Sequence, residues 1–177
     1  MTGDQYLADI IAQFAGYRKR AEKALAQVSD EAFFKEFDPG GNSLAILVKH
    51  IGGNLRSRWR DVLTSDGEKS DRHRDSEFEI TPNDSRESLM ARWNEGWDIL
   101  EASLKSLPAD DLTRTITIRS EPHTLYKALH RSLTHTAEHI GQIIMLAKHL
   151  AGEDWQTLSI ARGQSEAFNR KMTGGKS

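Results

Sequence analysis

The run from Leu125 to Leu150 constrains the fold most. Leu125, Leu129, Leu133, Ile140, Ile143, Ala147 and Leu150 recur at three- and four-residue steps, and no proline interrupts them. That spacing puts them on one broad side of an α-helix. At 1.5 Å per residue the run is about 40 Å long. A helix that long, apolar along one side, must be covered by other helices over most of its length.

The chain supplies them. From Tyr6 to Val28 the apolar positions Leu7, Ile10, Ile11, Phe14, Ala21, Leu25 and Val28 predict a first helix, which Ser29 and Asp30 end. The breaker cluster Asp38-Pro39-Gly40-Gly41 and an N-cap at Ser43 precede a second, Leu44 to Leu63, with the stripe Leu44, Leu47, Val48, Ile51, Leu55 and Val62. Asp84 and Glu87, in capping-box spacing, open a third that carries Leu89, Trp93, Trp97, Leu100 and Leu104 and stops at Pro108. The period-two stretch Thr113 to Arg119 predicts one short extended segment, ended by Ser120-Glu121-Pro122. The expected fold is all-α: a single-domain four-helix bundle over residues 1–177, with that segment before helix four and an ordered tail from about Glu153 wrapping the bundle. Phe33, Phe34 and Phe37 are expected to plug one end of the core. Ser65 to Glu79 reads as an exposed polar loop. Gly52-Gly53 inside the second helix costs roughly 1 kcal/mol per glycine relative to alanine, which a close helix crossing or a bend would explain.

Composition removes several function classes. A net charge of −2 gives no basic field for nucleic acid or anionic membrane, and no segment approaches a membrane span. The opening residues show no signal-peptide pattern, so a cytoplasmic location is expected. Cysteine is absent. Disulfides, thiolate ligands and a cysteine nucleophile are thereby excluded, leaving histidine and carboxylate as candidate ligands.

Seven histidines are present. His135 and His139 lie one turn apart, at the edge of their helix's apolar side, and His50 is displaced from its own stripe in the same way. Three imidazoles at the margin of a bundle core would leave open coordination positions, the catalytic rather than the closed structural pattern. Spacing alone leaves the alternative standing, since core-edge histidines are often only hydrogen-bonded. The zinc-protease motif is not met, because Thr136 stands where glutamate would follow the first histidine. His73, His130 and His149 read as solvated, and His123 as a cap or a supporting group.

Asn42 to Asn54, followed by Arg56-Ser57-Arg58-Trp59, resembles the second helix of the DinB-like (YfiT-like) superfamily, and more narrowly its DUF1572 branch. His135 to Leu150 is similar to that family's second signature, and Trp155 to Asn169 looks like a DUF1572 hallmark. The resemblance implies a four-helix bundle holding a divalent metal, nickel or zinc, on His50, His135 and His139, with Gln142 in a structural or supporting role, and a homodimer. It also implies a thiol-dependent transferase or isomerase chemistry, in which the metal lowers the pKa of a thiol brought by a low-molecular-weight cofactor. Arg56, Arg58, Arg60 and Arg162 are candidates to pair with that cofactor's carboxylates, and Arg58, nearest the buried stripe, is preferred. The leading expectation is a metal-dependent S-transferase acting on small electrophiles. A metal-dependent hydrolase and a non-enzymatic metal-binding, stress-related protein are the alternatives.

Overall fold

A computed structural model describes residues 1–174, and they are mostly helical with one two-stranded sheet. Helix α1 (Gly3–Leu25) begins at Thr2, whose hydroxyl accepts from the Gln5 N–H while the Gln5 side chain accepts from the Thr2 N–H. A single turn, α2 (Asp30–Phe34), follows, capped by Ser29. Helix α3 (Leu44–Trp59) is the expected second helix. It stops short of Leu63 because Asp61 takes a left-handed φ of 52°. Helix α4 (Arg86–Ser106) starts at Ser85, not at Asp84, and its capping box pairs Ser85 with Ser88. Asp84 is drawn instead to Lys49 Nζ at 2.9 Å and to the Thr81 N–H. Helix α5 (Leu125–Ala151) fills the span its periodicity predicts, with Thr124 as N-cap.

The four long helices enclose one core. Helix α3 packs against α4 and α5, and α1 against α5 and α4. Leu47, Ile51, Trp93, Leu100, Leu129 and Ile143 are among its fully buried side chains. Each such burial stabilises the fold by roughly 1.5–3 kcal/mol. The glycine pair of α3 is explained by close approach. A Cβ on Gly52 would lie 2.8 Å from the Arg92 carbonyl oxygen on α4, and Gly96 returns the contact against Gly52.

The extended segment is a hairpin rather than one strand. Strand β1 (Thr115–Ile118) pairs antiparallel with β2 (Glu121–Thr124), Ile116 opposite His123. Arg119 and Ser120 form the turn with φ of 56° and 62°, the left-handed pair a tight two-residue hairpin needs. Asp66 accepts both of their N–H groups at 2.8 Å. These bonds offset the strain of non-glycine residues there.

Three further expectations are corrected. The Ser65–Glu79 stretch is no free loop. It is a strap pinned by Ser57 Oγ donating to the Gly67 carbonyl (2.9 Å) and by the Gly67 N–H donating to the Thr117 carbonyl (2.8 Å), and it includes a 3₁₀ turn, Arg74–Phe78, that packs on α3. Of the phenylalanines, Phe33 is fully buried and Phe34 partly, but Phe37 is exposed against His149. Among the described residues the tail meets the core through Trp155 and Leu158, and Gln156 exchanges hydrogen bonds with Gln27 next to α1. Helix α6 (Ser165–Met172) buries no residue, so it does not wrap the bundle. Among the described residues no helix is long and apolar enough to cross a membrane.

Candidate metal centre

Helix α3 carries His50, 3% exposed, and α5 carries His135 and His139, both half-buried. Their offset from the apolar stripes turns the three rings toward one another. The Nε2 atom of His135 lies 3.2 Å from Nε2 of His50 and 3.2 Å from Nε2 of His139. One ring nitrogen from each of the three lies within 4.8 Å of the others. Two nitrogens bound tetrahedrally to one zinc at about 2.0–2.1 Å would sit about 3.4 Å apart. The observed spacing fits a shared divalent ion.

The far sides of the rings are held as well. His50 Nδ1 is 2.8 Å from Glu77 Oε2, and His139 Nδ1 is 2.9 Å from Gln142 Oε1. Both oxygens accept, so each Nδ1 carries the proton and each Nε2 keeps its lone pair for the common point. Burial first, and then the positive charge of His139, His50, Arg72 and Arg58, pushes His135 down to about 3. Burial likewise lowers His139, partly opposed by its bond to Gln142. Neutral imidazoles are the form a metal requires.

Glu77 was hidden in the stretch that reads as a solvated loop. Its carboxylate accepts from Arg72 Nε and Nη2, each at 2.8 Å, as well as from His50. Burial would raise its pKa, but the hydrogen bonds from Arg72 and His50 hold it below the usual carboxylate range. The Arg72 and Glu77 side chains are only 4% and 8% exposed. One sequence signal pointed here: a Cβ on Gly53 would collide with the Glu77 carboxylate, so the second glycine of the pair makes room for it.

The histidines open on a cavity of about 360 Å³, walled by Trp59, Val62, Phe78, Ile116, Ile118 and Ala128. Arg58 also lines it, its guanidinium 2.6 Å from the Gly67 carbonyl and 2.8 Å from Glu68. Arg56 and Arg60 instead bind Asp71 at the surface, and Arg162 lies exposed in the tail. His73, His130 and His149 are exposed, as their positions suggested. His123 is no cap. It is buried in β2, with neither ring nitrogen hydrogen-bonded.

The fold and site thus define a mostly helical protein in which three histidines from two helices form a group that could hold a metal ion beside a cavity. The DUF1572 family, described as a protein of unknown function, matches residues 1–164, and the chain belongs to it. No curated protein and no solved structure matches the chain.

Proposed function

We propose that the chain is a divalent-metal-dependent enzyme of the DinB-like superfamily, a four-helix bundle holding nickel or zinc on His50, His135 and His139. Its proposed reaction is transfer of a small electrophile to the sulfur of a low-molecular-weight thiol. The convergence of three Nε2 atoms at the edge of a cavity of about 360 Å³ carries this reading. A three-histidine site leaves coordination positions open, and a divalent ion there supplies positive charge that lowers the pKa of a bound thiol. The protein's own residues then have distinct tasks. Glu77 and Gln142 fix the histidine tautomers, and the apolar wall offers a surface for the body of the electrophile. Arg58 is assigned to an acidic group of the thiol cofactor. With no cysteine in the chain, the nucleophilic sulfur must arrive with that cofactor.

Hydrolysis by activated water fits the same ligands but needs a base. Among the described residues no aspartate or glutamate lines the cavity, and Glu77 is engaged by Arg72 and His50. The transferase is therefore preferred. The superfamily resemblance extends the reading to a cytoplasmic homodimer, which analytical ultracentrifugation checks.

The test is a screen of nickel- or zinc-loaded protein with glutathione, bacillithiol and mycothiol against 1-chloro-2,4-dinitrobenzene. The carbon–sulfur bond forms as the carbon–chlorine bond breaks; chloride leaves with the bonding pair and the thiol proton goes to buffer. The reading predicts thiol-dependent turnover that chelation abolishes and added metal restores. No rate above buffer with any thiol would shift the assignment to a hydrolase or a non-enzymatic metal-binding protein.

A further inference from the structure

The charge around the cavity runs against the charge of the chain. The protein carries a net −2, yet among the described residues five arginines line this one space, Arg58, Arg72, Arg74, Arg119 and Arg131, and no acidic side chain does. Arginines are costly to gather unless something anionic balances them. The protein's own carboxylates balance them incompletely. Arg72 is committed to Glu77. Glu68 is shared by Arg58 at 2.8 Å, Arg119 at 3.1 Å and Arg72 at 3.5 Å. The Arg131 guanidinium has no acidic partner and no hydrogen bond among the described residues, and Arg74's acidic partner there is the exposed Asp75 next to it.

Position along the helices adds direction. His50, Asn54 and Arg58 follow one another at four-residue steps on α3, and all three line the cavity. Arg131, His135 and His139 do the same on α5. Each helix therefore presents one ladder, with imidazole at one end and guanidinium at the other. Steps of four and eight residues correspond to roughly 6 and 12 Å along a helix axis. Arg119 joins the arginine end from the hairpin turn, where Asp66 fixes its backbone. Apolar side chains, Trp59, Val62, Ile116 and Ile118, line the same cavity.

We infer that the cavity seats a small molecule with an oxyanion, a carboxylate or phosphate, on Arg58, Arg119 and Arg131, with an apolar body placed against Trp59, Val62, Ile116 and Ile118. Guanidinium forks match either oxyanion in two-point contact. The assignment rests on the proposed function for its orientation, with the end opposite the oxyanion facing His50, His135 and His139, and it extends to Arg119 and Arg131 the acidic-group contact given there to Arg58. The arginine seat itself stands without the metal.

Calorimetric titration of the full chain, stripped of metal by chelation, tests the seat. Phenyl phosphate, benzoate and uncharged benzyl alcohol are the probes, and the variants are Arg131→Gln and Arg58→Gln. One site per chain is expected for an anionic probe, with benzyl alcohol at least tenfold weaker and Arg131→Gln weakening the anion by tenfold or more. The tighter of phenyl phosphate and benzoate identifies the oxyanion. Arg58 is partly buried and its loss can disturb the fold. Arg131 is exposed on α5, so its variant keeps the test open, with helical circular dichroism as control. Equal affinity for charged and uncharged probes, no binding of either anionic probe, or an unchanged anion affinity in folded Arg131→Gln would overturn the inference. Zinc titration of the same stripped protein reports separately on the metal reading.

Discussion

Replacing Glu77 separates its two tasks, balancing Arg72 and orienting His50. In Glu77→Ala the Arg72 guanidinium, 4% exposed, loses both 2.8 Å bonds and keeps only the 3.5 Å contact to Glu68. Breaking a buried pair by removing one partner costs about 3–5 kcal/mol. For a domain of this size that corresponds to a fall in Tm of roughly 6–20 °C, at about 2–4 °C per kcal/mol. Glu77→Gln keeps one carbonyl oxygen, which in the Oε2 position accepts from both His50 Nδ1 and Arg72 Nη2, while its NH2 faces Arg72 Nε, so one bond is lost rather than three and the stability loss is smaller. Metal affinity is the second readout. Removing the group that orients a ligating imidazole typically weakens metal binding 10–100-fold. Glu77→Ala should therefore lose about that much zinc affinity below its melting temperature, and Glu77→Gln less. Differential scanning calorimetry and competition with a chromogenic zinc chelator measure the two effects. A folded Glu77→Ala protein with wild-type zinc affinity would refute the role assigned to Glu77.

The glycine pair gives a matched contrast. Gly52→Ala gains about 1 kcal/mol of helix propensity but drives a methyl against the α4 backbone at Arg92, an overpacking that typically costs 1–3 kcal/mol. Thermal melts should show no stabilisation, and a raised Tm would contradict the close crossing of α3 and α4. Gly53→Ala drives a methyl against the Glu77 carboxylate instead, which must shift from Arg72 and His50, so zinc affinity should fall about tenfold and Tm should fall too, by less than in Glu77→Ala. The metal-free protein should lose stability in acid. His135 is pushed from 6.5 to about 3 and His139 is lowered too, so between those values the unfolded chain binds more protons than the folded one. Their contribution is complete above about pH 6.5 and declines as pH falls toward 3. Below the ordinary carboxylate value of 4.5, Glu77 adds to the loss in the same direction. Urea titrations at pH 7 and pH 5 check this, and higher stability at pH 5 would contradict it.

The three histidines were legible because helical periodicity fixes which positions reach a core edge. His50, His135 and His139 share that placement on two long, strongly patterned runs. What supports them was not legible. Glu77 and Arg72 sit in a stretch dense in charge, with no period to mark a buried side. Their contacts join residue 77 to residue 50 across a strap whose path depends on tertiary bonds at Ser57, Gly67 and Asp66. The cost of Gly53 hinted at something filling the space beside it, without naming what. Strand β2 was missed because Pro122 reads as a breaker. Pro122 faces Thr117 in a two-stranded ribbon whose edges lack further strands, where a proline is tolerated. The tail was over-read, since Ile160 and Phe168 suggest burial but lie exposed.

The central claim is that His50, His135 and His139 hold one divalent ion. Calorimetric titration of zinc and of nickel into chelator-stripped protein, with His50→Ala, His135→Ala and His139→Ala alongside, tests it most directly. One ion bound per chain in the wild type, with binding lost in each folded variant, is the predicted result. Wild-type stoichiometry and affinity in the three variants would contradict it.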